Sequence, residues 1–460
     1  MNEGTLRDDT VICPYHHAAF RYENGELVTP PALDDLPVYE VKVVNGEVSI
    51  GRKHEPRIRM PSGSDSRSFL IVGAGAAGSA AAESLRRRGF AGRITMVTAE
   101  RDLPYDRPML SKGFVSGQAE EGWLSLRSED FYRDIQVSLR LGAHVAHFDP
   151  ASRSATLASG ERITGDAVLL ATGGTPRTLP LPGADVPRVY TLRSAEDARR
   201  IKSQVQDARR AVILGAGFIG MEMASDLTGA KMVVHVVAPE AEPMSAQFGE
   251  RIGRRLRMLH EQRGVSFHMK STAKTIEGSG GARSVLLSDG TALQADIVIL
   301  AFGVRPEIDF LSSTDIVADG AVPVDETLMT SRGGVFAAGD IAVVPYPGQL
   351  GRHRIEHWVV AQMQGRHAAA SMLGEKSAYS EIPFFWTRQA ETSFKYLGFP
   401  GDGKRIAYRG NPDEGPFLAG YYREDRLVGV ATLGMSREMI ALEPVIRGEE
   451  SLPYAGFSQG

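Results

Sequence analysis

Two stretches of the chain repeat one pattern of apolar and polar positions. Phe69-Leu-Ile-Val is a continuous apolar run of the kind a strand buried on both faces requires. It enters Gly73-Ala-Gly-Ala-Ala-Gly78, and an Ala-rich, helix-forming segment from Ser79 to Arg88 follows until Gly89 stops it. The run Arg93-Ile-Thr-Met-Val-Thr-Ala predicts a second strand. From Ala211 the order recurs: Ala-Val-Ile-Leu, then Gly215-Ala-Gly-Phe-Ile-Gly220, a helix to about Thr228 and the strand Met232-Val-Val-His-Val-Val. The chain therefore repeats a whole beta-alpha-beta unit, which predicts an α/β architecture with two nucleotide-type folds.

The flanks have other patterns. Alternation in Leu36 to Val44, the turn Asn45-Gly46 and Glu47-Val-Ser-Ile predict a small β-hairpin. Residues 54–68 lose periodicity and gather Pro, Gly, Ser and charge, as a linker does. Thr330 to Asp340 reads as a strand ending in a glycine turn and an acid. Beyond Gly374, Pro383-Phe-Phe-Trp and short alternating strands at Arg405, Phe417 and Leu427 predict a mixed α+β domain.

Composition narrows the chemistry. With 460 residues the chain is long enough for several cores, and its 50 glycines suit close contact between backbone and ligand. The 52 basic and 56 acidic side chains leave a formal charge of −4, which gives no electrostatic case for nucleic acid or an anionic membrane. Cys13 is the one cysteine, so a redox-active cysteine pair within the chain is excluded. No apolar run reaches the ~18 residues of a membrane span and no secretion signal opens the sequence, so the expected location is cytoplasmic.

In a GxGxxG turn the first glycine permits the tight bend, the second lets backbone approach a pyrophosphate and the third lets helix pack on strand. Gly73, Gly75 and Gly78 meet this pattern, with Glu100 beyond the second strand to accept ribose hydroxyls; Gly215, Gly217 and Gly220 meet it again. In the second unit Ala238 stands where the acid belongs and Glu240 follows. Val237-Ala-Pro-Glu-Ala-Glu offers no adjacent arginine for a 2′-phosphate, which favours NADH over NADPH while leaving both open.

With these motifs in order, the sequence from Phe69 onward resembles the FAD-dependent ferredoxin reductase family, including putidaredoxin reductase-like and apoptosis-inducing-factor-like members. The resemblance implies two Rossmann-like domains of the glutathione-reductase type, the first for FAD and the inserted second for NAD(P)H, and a C-terminal α+β domain. The implied division is 1–53 partial Rieske-like β segment, 54–68 linker, 69–186 and 311–375 FAD-binding domain, 187–310 NAD(P)H-binding domain and 376–460 C-terminal domain. Leu103-Pro-Tyr-Asp-Arg-Pro-Met-Leu-Ser-Lys resembles the family's FAD loop, which implies Arg107 toward the phosphate or adenine side, Lys112 toward the isoalloxazine ring and Pro108 among the residues that bind the cofactor.

The same resemblance marks Ala171, Thr172 and Gly173 as a crossover segment, Gly339 and Asp340 as the turn holding the ribityl or pyrophosphate region, and adds Gly303. It brings Glu222 near nicotinamide, with Lys112 as its flavin-side companion; a carboxylate-ammonium pair there orients the rings, or else stabilises the fold. Glu356, His357 and Trp358 match a segment approaching both rings, with core packing as the plainer role of Trp358. Trp386 and Gln389 are implied at the flavin or its approach, and Arg366, Arg388 and Lys395 are candidates for docking an acidic carrier or for ordinary surface charge.

Cys13-Pro-Tyr-His16-His17 resembles the second ligand box of a Rieske protein. A Rieske cluster takes two Cys and two His. No preceding Cys-x-His box is present, so the expectation is a truncated module with no 2Fe-2S cluster, and adjacent histidines make a weak zinc site. The implied activity is hydride transfer from NAD(P)H to FAD, then single-electron transfer to an external ferredoxin or Rieske-type protein, supporting an oxygenase, from an enzyme able to form a homodimer. Two other functions remain: an oxidase or small-acceptor reductase, and an apoptosis-inducing-factor-like redox-responsive interaction protein.

Overall fold

Each glycine-ended apolar run becomes the central strand of its own five-stranded parallel sheet. A computed structural model describes residues 4–56, 63–278, 280–348 and 350–458; residues 57–62 of the expected linker lie outside the described residues. The chain divides into two units, one of residues 1–104, 126–172 and 308–384, the other of 105–125, 173–307 and 385–460. The breaks thus fall at other positions than the motif-based division, and residues 105–125 pack with the second unit.

In the first unit the sheet runs Val335–Ala337, Ala167–Leu170, Ser68–Val72, Arg93–Val97, Val137–Arg140. Phe69 to Val72 are buried, as the continuous apolar run requires. Helix Ala76–Arg87 begins directly after Gly75, earlier than the Ala-rich composition suggested, and packs on helix Trp358–Met372. Gly365 permits this approach, since a Cβ there would lie 2.1 Å from the Ala77 carbonyl oxygen.

The same unit carries a four-stranded antiparallel meander, Thr5–Arg7, Thr10–Ile12, Ala19–Arg21 and Leu27–Thr29, around Ala18, Phe20 and Leu27. Beyond it, the hairpin Val38–Val44 with Glu47–His54 runs into the first residue of the expected linker. Arg127 and Arg87 tie the meander's continuation to the nucleotide fold. Arg127 donates to Asp34 at 2.8 Å and to Glu83 at 3.1 Å, and Arg87 donates to Asp35 at 2.9 Å.

The second unit repeats the parallel sheet: Val189–Tyr190, Ile297–Leu300, Arg210–Leu214, Val233–Ala238, Ser266–Met269, with helix Phe218–Gly229 after the glycine turn. Its C-terminal part is a five-stranded sheet in the order Phe384–Gln389, Thr392–Gly398, Arg426–Leu433, Phe417–Arg423, Arg405–Gly410, followed by short helices such as Ser436–Ala441. The alternating strands read from the sequence are all present in it. No helix among the described residues is long and apolar enough to cross a membrane.

Candidate functional site

The two glycine turns divide their steric duties alike. Gly73 has φ +107° and a Cβ on it would lie 2.2 Å from the Ala171 carbonyl oxygen; Gly215 has φ +116° and stands in the same relation to Ala301 at 2.4 Å. Cβ atoms on Gly78 and Gly220 would strike the carbonyl oxygens of Gly73 and Gly215 at 1.9 and 2.1 Å. Gly75 and Gly217 differ from the other four. Both have ordinary negative φ and no protein atom within 4 Å of a built Cβ.

Nothing within the protein requires glycine at those two positions, so the open space fits a ligand that approaches the backbone. Both are helix N-caps without a side-chain cap, which leaves first-turn N–H groups to an outside acceptor. A pyrophosphate meets both conditions, and the residues present therefore fit a dinucleotide in each unit.

Around the first cradle, Glu100 is half-buried past strand Arg93–Val97, its carbonyl accepting from Gly142 N at 2.8 Å. Ala171 and Thr172 follow strand Ala167–Leu170, and Ala171 N donates to the Val72 carbonyl. Gly339, with φ +77°, donates its N–H to Gln364 Oε1 at 2.7 Å, and Asp340 is buried in the turn after strand Val335–Ala337. Arg354 holds the Asp340 carbonyl at 3.0 Å and pairs with exposed Glu356 at 2.7 Å. His357 stands at the N-cap position of helix Trp358–Met372 without a side-chain cap, and Trp358 opens the helix half-buried.

In the second unit Glu240 is exposed just beyond strand Val233–Ala238, and Gly303 takes φ +81° between strands Ile297–Leu300 and Val304–Pro306. Gly173, φ +74°, opens strand Gly174–Pro176, which pairs with Val304–Pro306. Arg107 and Pro108 begin the 3-10 turn Arg107–Ser111. Arg107 stacks on Tyr105 and donates to the Tyr105 hydroxyl at 2.7 Å and the Arg193 carbonyl at 2.5 Å.

That turn brings Ser111 and Lys112 to helix Phe218–Gly229. Lys112 Nζ lies 2.7 Å from Glu222 Oε1, Ser111 Oγ donates to Oε2 at 2.5 Å, and Thr387 Oγ1 donates to Oε1 at 2.5 Å. Glu222 is only 3 % exposed. One turn further along the helix, Asp226 accepts from Ser116 N at 3.0 Å and Ser116 Oγ at 2.5 Å, and burial pushes its carboxyl up to about 6.

Three expectations need correction. Gln389 is fully buried and bonds Thr387 and His260, so it does not line an open approach; Trp386, on the same strand, is half-buried. Arg366 donates to the Leu27 carbonyl at 2.7 Å, and Lys395 is buried with its ammonium 2.9 Å from Ser436 Oγ; neither is a free surface charge, whereas Arg388 is exposed. Thr387 and His260 went unnoticed in the sequence. The nearest signal was the polar Thr387 within Phe384-Phe-Trp-Thr-Arg-Gln.

In the N-terminal meander, Cys13 N donates to the Ala18 carbonyl and His17, at φ +65°, sets its ring against Phe384. The sequence contains one cysteine, so its residues do not complete the two-Cys, two-His set of a Rieske cluster. Among the described residues no group of three or more His, Cys, Asp or Glu is arranged to hold a metal ion.

Comparison with known proteins agrees with this geometry. A Rieske [2Fe-2S] domain model matches residues 1–40 and a Reductase C-terminal model residues 384–458. Apoptosis-inducing factor 3 of Mus musculus is 35 % identical over 449 residues, covering 94 % of this chain and 73 % of that protein. The anthranilate 1,2-dioxygenase system ferredoxin–NAD(+) reductase component of Burkholderia cepacia is 34 % identical over 380 residues, covering 82 % and 93 %. Among solved structures, the covalent putidaredoxin reductase–putidaredoxin complex superposes with TM-score 0.80 at 29 % identity, covering 85 % of this chain and 95 % of that one. A model of the pyridine nucleotide-disulphide oxidoreductase family spans residues 67–365 and takes in both cradles, and the chain accordingly belongs to that family's FAD-dependent ferredoxin-reductase members, with an N-terminal Rieske-like segment.

Proposed function

We propose that this protein oxidises NADH and passes the electrons singly to a separate ferredoxin or Rieske-type iron-sulfur protein that serves an oxygenase. Bound FAD supplies the needed chemistry, accepting a hydride's electron pair and releasing the two electrons one at a time. The balance is one NADH and two oxidised carriers giving NAD⁺, one proton and two reduced carriers. The observation that carries the reading is the pair of open glycines, Gly75 and Gly217, on a chain similar to the Burkholderia cepacia component named as a ferredoxin–NAD(+) reductase.

The residue roles follow the division into an FAD-binding domain of residues 69–186 and 311–375 and an NAD(P)H-binding domain of 187–310. Gly73, Gly75, Gly78 and Glu100 hold the adenosine diphosphate of FAD, with Arg107, Pro108, Ala171, Thr172, Gly173, Gly339, Asp340, Glu356, His357, Trp358 and Trp386 around the rest of the cofactor. Gly215, Gly217, Gly220, Glu240 and Gly303 hold the nicotinamide dinucleotide. Lys112 and Glu222 orient the reacting rings. Exposed Glu240, with no arginine beside it in Val237-Ala-Pro-Glu-Ala-Glu, favours ribose hydroxyls over a 2′-phosphate and hence NADH. The proposed setting is the cytoplasm, with the protein as a homodimer.

The test is anaerobic titration of the purified protein with NADH and NADPH, followed by turnover against a panel of acceptors. The reading expects an oxidised-flavin spectrum bleached preferentially by NADH, and cytochrome reduction that requires added ferredoxin. Equal turnover with oxygen or quinones alone would replace it by a small-acceptor reductase. Slow bleaching with reduction-dependent oligomerisation would replace it by a redox-responsive interaction protein.

A further inference from the structure

The Glu222 carboxylate is the end of a longer buried chain. Thr387 Oγ1 lies 2.5 Å from Glu222 Oε1, Gln389 Nε2 lies 2.8 Å from Thr387 Oγ1, and His260 Nε2 lies 2.9 Å from Gln389 Oε1. Thr387 and Gln389 are 0 % exposed and His260 is 1 % exposed, so water does not compete for these bonds. The three elements involved, helix Phe218–Gly229, helix Glu250–Glu261 and strand Phe384–Gln389, come from distant parts of the sequence.

The polarity of this chain is forced from one end. A carboxylate is acceptor-only, so Thr387 must donate its single O–H to Glu222. Its oxygen can then only accept from Gln389, which fixes the amide with nitrogen toward Thr387 and oxygen toward His260. The amide oxygen accepts, so His260 must donate from Nε2. Burial depresses the imidazole to about 4, so at neutral pH the ring is uncharged and the Nε2–H tautomer leaves Nδ1 without a proton.

We propose that His260, Gln389 and Thr387 are positioning residues for the hydride-transfer step, a one-way hydrogen-bond chain that locks the Glu222 carboxylate in the orientation that receives nicotinamide. This rests on the reading that Glu222 faces nicotinamide. Lys112 shares Oε1 with Thr387 and Ser111 donates to Oε2, so three donors converge on one carboxylate whose own rotation would otherwise be free. Charged and titratable groups at the ends of the chain include Lys112, Glu222 and Asp226 at one end and, at the other, Arg263, which pairs with Glu391 at 2.9 Å.

Two kinds of measurement test this. In flavin-loaded protein labelled with [15N]histidine, the His260 signals, assigned by their loss in H260Q, should show the Nε2–H tautomer. An Nδ1–H tautomer overturns the chain. In anaerobic stopped flow, T387V should lower the limiting rate of flavin reduction about tenfold with the NADH dissociation constant nearly unchanged, and T387S should restore it. Q389E preserves shape but donates to Thr387 only when protonated, so its limiting rate should fall as pH rises across a range where the natural protein's rate is flat. Wild-type rates in T387V together with a flat Q389E profile overturn the proposal. Failure of the underlying reading looks different, since E222Q would then also reduce flavin at the wild-type rate.

Discussion

At the scale of single residues, His260 and Asp226 pull the acid stability of the second unit in opposite directions. The unfolded histidine binds a proton near 6.5 and the folded one only near 4, so between those values the unfolded state holds more protons and stability is lost as pH falls. Asp226 is raised by burial from 3.8 to about 6, so in that window the folded state holds more protons and stability is lost as pH rises. Each contribution is about 3 kcal/mol across its window, so the two nearly cancel. Urea unfolding between pH 7 and 4 should therefore separate the variants: H260Q gains stability relative to wild type on acidification and D226N loses it. Parallel slopes for all three proteins would refute the assignment. Lys112 and Glu222 could be paired from the sequence because each sits in a recognisable motif. His260 could not, because its partner Gln389 is 129 positions away and nothing local in the charged helix Glu250–Glu261 singles the histidine out.

At the scale of elements, the two strand-turn-helix units make a sharp distinction between glycines that serve the fold and glycines that serve a ligand. G220A would drive a methyl into the Gly215 carbonyl and should lower the unfolding temperature, whereas G75A and G217A place theirs in open space. The expectation is that G217A keeps flavin and fold but weakens NADH binding at least about tenfold, while G75A loses flavin on gel filtration; unchanged affinities in both would show that the open spaces are not phosphate sites. A second element-level prediction concerns the N-terminal meander. R127A leaves Glu83, 8 % exposed, without its guanidinium partner and should cost about 3 kcal/mol, read by thermal unfolding of the holoprotein. A shift of under a degree would mean the ion cluster contributes nothing. These units were legible because a GxGxxG turn is a local signal. The antiparallel meanders at Val145–Asp149, Ser154–Leu157 and Arg162–Thr164, and again at Ala273–Glu277, Ser284–Leu287 and Ala292–Gln294, left no comparable trace, since strands of three to five residues depend on their neighbours rather than on their own alternation.

At the scale of the whole molecule, the order of nucleotide folds and C-terminal domain was readable because a repeated beta-alpha-beta unit declares itself. The excursion of residues 105–125 into the second unit was not, because it is fixed by tertiary contacts such as Ser116 with Asp226 and Lys112 with Glu222. The remaining question at this scale is whether electrons leave the flavin within the chain or through another protein. The 460 residues hold one cysteine, Cys13, and a Rieske centre needs two thiolates on one iron with two imidazoles on the other. His17 and His54 supply no thiolate, so neither completes the set. Two copies of the chain together would bring two cysteines and the matching histidines, but sharing one cluster requires the two meanders to meet at an isologous interface. Expressed as these 460 residues and purified without oxygen, the protein should therefore contain about one flavin and negligible iron and acid-labile sulfide per chain. Iron and sulfide analysis with electron paramagnetic resonance of the dithionite-reduced protein decides the point. Two irons with a Rieske signal in every chain would defeat the prediction, and one cluster for each pair of chains would locate the electron exit at a subunit interface instead.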